Sequence, residues 1–270
     1  MKKRCLYVIF LLLLCWQTLA AAAPIAPTTS AEAGIMIDGK TQQVLYSKDA
    51  DKIMYPASTT KMLTLLIALE RGKLDSIVTV SKNAASTEES NLGIHAGDKL
   101  PLRDLLTGMM LVSGNDAAVA AAEHIAGSVP AFAKLMNEKA DQLGAVNSHF
   151  SNPNGLPDPY NHFSTASDLA KIAAAGMQNP EFAKIVATPS YTVHFLNRPP
   201  LFVKNIDKFL RIYPGANGIK TGYTDAAGDC LAAGAKRNGV ELIVVLLNDD
   251  ERWDDSIHLM NYGFQLKKAL

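Results

Sequence analysis

The stretch Tyr55-Pro56-Ala57-Ser58-Thr59-Thr60-Lys61 runs straight into an apolar segment, Met62 to Leu69, and stops at Gly72. Pro56 suits a helix entrance, the hydroxyls of Ser58, Thr59 and Thr60 can satisfy first-turn amides, and Gly72 is a usual C-terminal stop. Between these signals Met62, Leu63, Leu65, Leu66, Ile67, Ala68 and Leu69 leave no wide polar face, so the helix must be enclosed by other elements. Only a layered fold can enclose it. The chain has the means: 270 residues, 48% of them hydrophobic and 19% charged, suffice for one large domain or two intimately packed lobes.

Residues three apart on a helix share a face, so the amine of Lys61 can reach back to the hydroxyl of Ser58. Burial disfavours the charged amine and lowers its pKa, which makes a neutral base accessible. A serine is a weak nucleophile without such a base. The plainer reading makes Ser58 a cap and Lys61 a snorkelling side chain. A Ser-x-x-Lys spacing arises by chance on the order of once in a chain of this length, so the pair needs support from elsewhere.

The chain begins Met1-Lys2-Lys3-Arg4, continues with an apolar run from Cys5 to Trp16, and then turns to small residues ending in Ala20-Ala21-Ala22-Ala23. Positive, apolar and small-residue regions in that order read as a secretory leader over residues 1–22, and the apolar run is short of the roughly 20 residues of a membrane span. Residues 23–33, rich in Pro, Ala, Thr and Ser, read as a linker to a domain over 34–270. Cys5 and Cys15 leave with the leader, so Cys230 stands alone and no intramolecular disulfide can form. Basic and acidic residues number 26 each before Lys2, Lys3 and Arg4 are removed; a near-neutral mature chain of this kind shows no sign of nucleic-acid binding.

Along the domain, Gly34-Ile35-Met36-Ile37 and Gln43-Val44-Leu45-Tyr46 flank Asp38-Gly39 and predict a type I′ hairpin. A short strand is expected at Ile77–Val80, a surface loop at Ser81–Gly97, and helices from about Leu102, Asp116 and Val129, with another over Ser167–Met177. Strands are expected at Tyr191–Phe195, Gly218–Thr221, Leu231–Ala235 and Val240–Leu247, the last two joined by Asn238-Gly239. An amphipathic helix from Asp254 to Leu270 closes the chain. Strands at both ends and helices between them imply an α+β fold, an antiparallel sheet built from the two chain ends with an inserted helical lobe and a cleft where the lobes meet.

Two further elements join Ser58-x-x-Lys61. Ser113-Gly114-Asn115 occupies a helix-to-helix joint, and Lys220-Thr221-Gly222 ends a late strand, where Gly222 allows a close backbone approach. The order Ser-x-x-Lys, Ser-x-Asn, Lys-Thr-Gly is that of penicillin-binding proteins and class A β-lactamases. The chain therefore resembles the penicillin-recognising serine enzymes, most closely the low-molecular-weight D-alanyl-D-alanine carboxypeptidases of the sporulation-associated and penicillin-binding-protein-5-like kind. The resemblance spans roughly residues 31 to 270 and includes Asn152-Pro153-Asn154-Gly155-Leu156 and Gly218 to Thr224, turns that this family uses around its cleft.

The resemblance implies a β-lactamase/transpeptidase-like fold and a serine carboxypeptidase of peptidoglycan stem peptides that is acylated by β-lactams. In it Ser58 is the nucleophile and Lys61 the base, kept deprotonated by having no close carboxylate among the surrounding cations. Ser113 relays a proton to the leaving amine, and Asn115 holds Lys61 and substrate. Lys220 and Thr221 bind the substrate carboxylate, and the amides of Ser58 and Tyr223, beside Gly222, form the oxyanion hole. Counting back from Tyr262-Gly263-Phe264 gives Arg252 as a further carboxylate-binding residue. Tyr223 stands where some relatives carry histidine. No cofactor or metal is expected. A secreted or envelope location and a monomer are expected. In a departure from the family, the sequence stops at Leu270 where many relatives continue into a β-rich domain and an anchor helix, so no stable membrane attachment is expected once the leader is gone.

Competing readings are a β-lactamase, a D-Ala cross-link endopeptidase and a non-catalytic β-lactam sensor; the Glu-x-x-Leu-Asn loop of class A enzymes is missing. Ser81-Lys82-Asn83 also fits Ser-x-Asn and reads as a solvated loop. His95, His124, His149, His162, His194 and His258 fall in no zinc pattern and read as structural or surface residues. The acidic run Asp249-Asp250-Glu251 with Asp254-Asp255 reads as a solvated helix start rather than a cation site.

Overall fold

A computed structural model describes residues 25–88 and 90–269. The leader, Cys5, Cys15 and the beginning of the linker lie outside the described residues. The chain opens with β1 (Ala33–Asp38) and β2 (Val44–Lys48). A 3₁₀ turn over Ala57–Thr60 then leads into α1 (Lys61–Arg71), β3 (Ile77–Thr79), α2 (Lys82–Ala85) and β4 (Lys99–Pro101). Helices follow: α3 (Leu102–Val112), α4 (Asn115–Ala126), α5 (Val129–Gln142), α6 (Ala166–Met177) and α7 (Pro180–Val186). The last part comprises β5 (Ser190–Val193), β6 (Leu201–Lys204), α8 (Phe209–Ile212), β7 (Ala216–Thr224), β8 (Gly228–Arg237), β9 (Val240–Leu247) and α9 (Arg252–Ala269).

The main sheet has the order β2-β1-β9-β8-β7 and its neighbours are antiparallel, so the first strands of the chain pair with the last. This is the α+β architecture that the order of elements implied. Successive side chains of a strand point to opposite faces, and β9 supplies both cores accordingly. Ile243, Val245 and Leu247 join the core under the helical lobe, while Leu242, Val244 and Leu246 meet Leu259, Met260 and Phe264 of α9. Residues Lys61 to Ala68 of α1 are all buried, packed among α4, α5 and α6. Among the described residues no helix is long and apolar enough to cross a membrane.

The Asn238-Gly239 turn has φ of 50° and 82°, the pair of positive angles a type I′ turn requires. The Asp38-Gly39 turn is different. β1 runs through Asp38, whose carboxylate accepts from the amides of Lys40 at 3.0 Å and Thr41 at 2.9 Å, and the connection widens to residues 39–42. A carboxylate that can cap its own turn displaces the tighter alternative. The strand expected at Tyr191–Phe195 is β5, which pairs only with β6, outside the main sheet.

Part of the expected linker is docked. Ala31 is buried, Glu32 N donates to Leu247 O at 3.1 Å, and Ser30 N donates to Asp255 Oδ2 at 2.6 Å. The same contact corrects the reading of the acidic run: Asp249 and Asp255 are buried, and the Ser30 hydroxyl donates to both. Burial and the neighbouring Asp255 push the Asp249 carboxyl up to about 6.

Candidate active site

The turn that carries Ser58 is backbone-strained and side-chain-braced. Ala57 has φ of 47°, unusual for a residue with a Cβ, and Thr59 Oγ1 donates to Pro56 O at 2.6 Å. No side chain caps the amides at this helix entrance, contrary to the expectation for Ser58, Thr59 and Thr60. Because the turn is 3₁₀, positions three apart eclipse. Ser58 and Lys61 are therefore brought together.

Lys61 is completely buried. Its Nζ lies 2.8 Å from Ser58 Oγ, 2.6 Å from Asn115 Oδ1 and 2.7 Å from Asn154 O. Asn115 Nδ2 donates to Glu88 O at 3.2 Å, which leaves Oδ1 as the end that faces the amine. Two of the three neighbours can only accept, whereas the serine hydroxyl can also donate. A neutral amine, with two N–H groups and one lone pair, matches that set. Burial, then the nearby Lys220 charge, hold the Lys61 amine well below the usual lysine range, against an opposing pull from Asp116.

Asn115 opens α4 directly after the joint at Ser113, a buried residue with φ of 62°. Asp116 then accepts from the amides of Leu92, Gly93 and Ile94 at 2.8, 2.9 and 3.1 Å. The segment read as a solvated surface loop is thus pinned to α4, with Leu92 and Ile94 in the core. Within it Ser81 merely caps α2, accepting from Ala84 N at 2.9 Å, which agrees with a non-catalytic role for Ser81-Lys82-Asn83.

A third wall comes from the turn at Asn152–Leu156. Asn152 Oδ1 accepts from Gly155 N at 2.8 Å, Asn152 Nδ2 donates to Leu156 O at 2.9 Å, and Thr64 of α1 donates to Pro153 O at 2.6 Å. Gly155, with φ of 91°, presses its backbone on the turn that carries Ser58 so closely that a Cβ would stand 1.9 Å from Ala57 O. Behind this contact His162 bridges the two segments. Ser151 N donates to its Nδ1 at 3.2 Å, so Nε2 carries the proton toward Thr60 Oγ1, 2.9 Å away. Burial pushes this imidazole down to about 4, and it stays neutral.

The fourth wall is β7. Lys220 is buried, its Nζ donates to Thr221 O at 2.8 Å, and burial, opposed by Asp207 and aided by Arg252, lowers it to about 7. Thr221 is buried beside it, and Tyr223 is 60% exposed with its hydroxyl 3.0 Å from Asp225 Oδ1. A Cβ on Gly222 would stand 3.2 Å from both Ser58 N and the Ala57 Cβ, which is why a glycine lets the strand meet the turn. Arg252 lies against this strand: Nη1 donates to Gly222 O at 2.8 Å and Cys230 O at 3.2 Å and pairs with Asp229 at 2.9 Å. Cys230 is a buried free thiol.

Asn154, Asp116 and Asp207 were given no role from sequence, and His162 was read as a structural or surface residue, which agrees with its burial. Only the Asn-Pro-Asn-Gly turn signalled one of them, and its carbonyl contact is a backbone property. The expectation that no carboxylate stands near the lysines is only half met. Asp116 is spent on three amides, but Asp207, buried and raised to about 6, lies within the electrostatic reach of Lys220. Among the described residues no cluster of three metal-ligating side chains occurs.

A serine hydroxyl on a buried amine, with a second buried lysine on the neighbouring strand, is the arrangement that a serine hydrolase working through a lysine needs. Comparison narrows the class. The sequence pattern of the family described as D-alanyl-D-alanine carboxypeptidase matches residues 19–251, and the chain belongs to that family of serine peptidases. The D-alanyl-D-alanine carboxypeptidase DacB2 of Mycobacterium tuberculosis is 39% identical over 254 residues, covering 92% of this chain and 86% of the relative. For DacF of Bacillus subtilis the figures are 36% over 221 residues, 80% and 57%, so the chain spans little more than half of that relative. A crystal structure of a Mycobacterium tuberculosis D-alanyl-D-alanine carboxypeptidase superposes with a TM-score of 0.85 at 36% identity, covering 91% of this chain and 95% of that one. The Streptomyces K15 DD-transpeptidase gives 0.84 at 34%, covering 89% and 99%.

Proposed function

We propose that this chain removes the terminal D-alanine from peptidoglycan stem peptides ending in D-Ala-D-Ala, through an acyl-enzyme on Ser58. The observation that carries this reading is the 2.8 Å contact between Ser58 Oγ and the buried Lys61 Nζ, whose other neighbours are the neutral oxygens of Asn115 and Asn154. Ser58 Oγ attacks the carbonyl carbon as its proton passes to neutral Lys61. The amides of Ser58 and Tyr223 receive the oxyanion, each such donor contributing about 2.7–4 kcal/mol of transition-state stabilisation. The C–N bond breaks, the proton reaches the departing D-alanine through Lys61 and Ser113, and water then releases the shortened peptide. Lys220 and Thr221 take the terminal carboxylate, with Gly222 admitting the substrate to the strand. Arg252, the further residue proposed for that carboxylate, donates Nη1 to the Gly222 carbonyl and so stands at the same end of the strand.

β-Lactams acylate the same serine. The domain over 34–270 is the catalytic unit, exported through the leader at 1–22, and it acts in the cell envelope as a monomer. A transpeptidase reading is favoured by the likeness to the Streptomyces enzyme; there an amine replaces water in the second step.

The test is D-alanine release from a D-Ala-D-Ala pentapeptide by the purified chain, blocked by penicillin. Ser58→Ala should abolish both release and covalent labelling by fluorescent penicillin in a folded protein. Retained labelling would refute the assignment, and cross-linked product with an added amine would favour the transpeptidase.

A further inference from the structure

Ser30 precedes β1 and belongs to no motif, yet a chain of contacts ties it to the strand beside Ser58. Its hydroxyl bonds to Asp249 Oδ1 and lies 3.1 Å from Asp255 Oδ2, and its amide donates to the same Asp255 oxygen at 2.6 Å. These two carboxyls flank the first turn of α9. Asp249 O accepts from Arg252 N at 3.1 Å, Asp249 Oδ1 accepts from Glu251 N at 3.0 Å, and Asp255 N donates to Glu251 O at 3.0 Å. Arg252 therefore reaches out from a fixed base, and its Nη1 holds Gly222 O at 2.8 Å. The carbonyl of Gly222 and the N–H of Tyr223 belong to one planar trans peptide unit and point opposite ways. Holding the one aims the other, and the Tyr223 N–H is the oxyanion donor in the acyl-transfer reading above, on which this inference rests.

The bridge through Ser30 needs a proton. A hydroxyl carries one hydrogen, so Ser30 serves two carboxyls fully only when one of them is protonated and returns a bond. Asp249 Oδ2 is buried and has no hydrogen-bond partner among the described residues; ionised, it would be a buried charge without a donor. Among the described residues no lysine, arginine or histidine pairs with Asp249 or Asp255, because Arg252 is engaged by Asp229 and Lys52 by Glu32. The titratable groups around the pair are Asp229 and Cys230 on β8, Asp250, Glu251 and Arg252 at the turn into α9, and Glu32 on the docked segment. From β2, Tyr46 and Lys48 reach only Thr29. Acids outnumber cations in this set, which favours a retained proton.

We propose that Ser30 is a positioning residue: bridging the proton-sharing pair Asp249 and Asp255, it fixes the first turn of α9 and, through Arg252, the aim of the Tyr223 amide. Burial and the neighbouring Asp255 hold the proton on Asp249 up to about pH 6, above the ordinary aspartate value of 3.8. The docked form thus binds the proton more tightly than the freed one, so docking is firm in acid and weakens as pH rises through about 6.

The experiment measures the limiting rate of acylation by fluorescent penicillin, and the dissociation constant that precedes it, at about pH 5 and about pH 8. Ser30→Ala should acylate about tenfold more slowly at the lower pH with the dissociation constant unchanged, since the donor is misaimed rather than lost. At the higher pH, where the bridge is already open in the wild type, the two should agree within about twofold. Ser30→Thr keeps the hydroxyl and should restore the rate. In an Asp249→Asn background, whose amide donates and accepts at every pH, the Ser30→Ala penalty should be the same at both pH values. A residue that only adds stability would lower the melting temperature without this pattern. Equal rates at the lower pH, an equal penalty at both pH values without Asp249→Asn, or no rescue by threonine would each overturn the positioning role. A protein that labels with penicillin but releases no D-alanine from a pentapeptide loses the carboxypeptidase reading and leaves this one standing. If penicillin does not label, hydrogen exchange decides: the Glu32 amide, which donates to Leu247 O, must exchange faster in Ser30→Ala than in wild type at the lower pH, and equal exchange would overturn the bridge.

Discussion

Two buried amines approach the cleft from opposite walls, Lys61 from the helical lobe and Lys220 from the sheet, and their neighbours differ in kind. Lys61 has three neutral oxygens at hydrogen-bond distance. Lys220 has one backbone carbonyl, and a buried carboxylate, Asp207, acts in favour of its charge. Burial lowers both pKa values, but the facing cation pushes Lys61 further while Asp207 holds Lys220 near 7. The same burial thus yields a base where the partners are neutral acceptors, and a titratable cation where an acid stands nearby.

The largest effect that would break this contrast is at Lys61. Lys61→Ala should slow acylation by penicillin about 10²–10⁴-fold, the usual share of a general base. Lys61→Arg should be as slow, because a guanidinium does not give up its proton; stopped-flow labelling that found arginine competent would mean that positive charge, not basicity, is what the position supplies.

The sheet-side lysine should show itself in a pH profile. Lys220 is cationic below about 7 and neutral above it, so the KM of a peptide with a free terminal carboxylate should rise as pH passes upward through that value. Losing a charged contact costs about 1.5–3 kcal/mol, roughly ten- to a hundredfold. Asp207→Asn removes the supporting charge and should move the limb to lower pH. A limb that stays in place would assign it to a group other than Lys220; those facing it are Asp207, Arg252 and Lys61.

The smallest effect on chemistry is expected behind the site, at His162. Its folded pKa of about 4 lies below the 6.5 of a free imidazole, so the unfolded chain binds more protons between these values and stability should fall as pH drops from about 6.5 toward 4. The span corresponds to about 3 kcal/mol. His162→Gln should flatten that dependence in thermal melts while much of the activity at neutral pH survives. An unchanged pH dependence would show that the imidazole does not link the two turns energetically.

Much of this was legible in the sequence, for reasons that can be named. The apolar run after Lys61 has no polar face, so its enclosure followed from composition alone. Asn238-Gly239 carries the two residues that tolerate positive φ, and its hairpin followed. Where a second local solution existed, sequence was a poorer guide: Asp38 capped a wider turn with its own carboxylate, and the threonines after Pro56 bonded to a carbonyl and a histidine rather than to amides. The acidic run was legible only in part: Asp250, Glu251 and Asp254 are exposed at a helix start as expected, but Asp249 and Asp255 form a buried pair that looks, in sequence, like the rest of that run.

Sequence by itself determined the three motifs, their order and the enclosure of Ser58 and Lys61, since residue type, spacing and hydrophobic period are local quantities. Tertiary structure alone decided what each lysine faces. Asn154 O meets Lys61 across 93 positions, Asp207 influences Lys220 from the loop ahead of α8, and Gly155 rests on Ala57. Those approaches depend on how the lobes close on each other, and pKa depends on the distance to charges and water rather than on sequence separation.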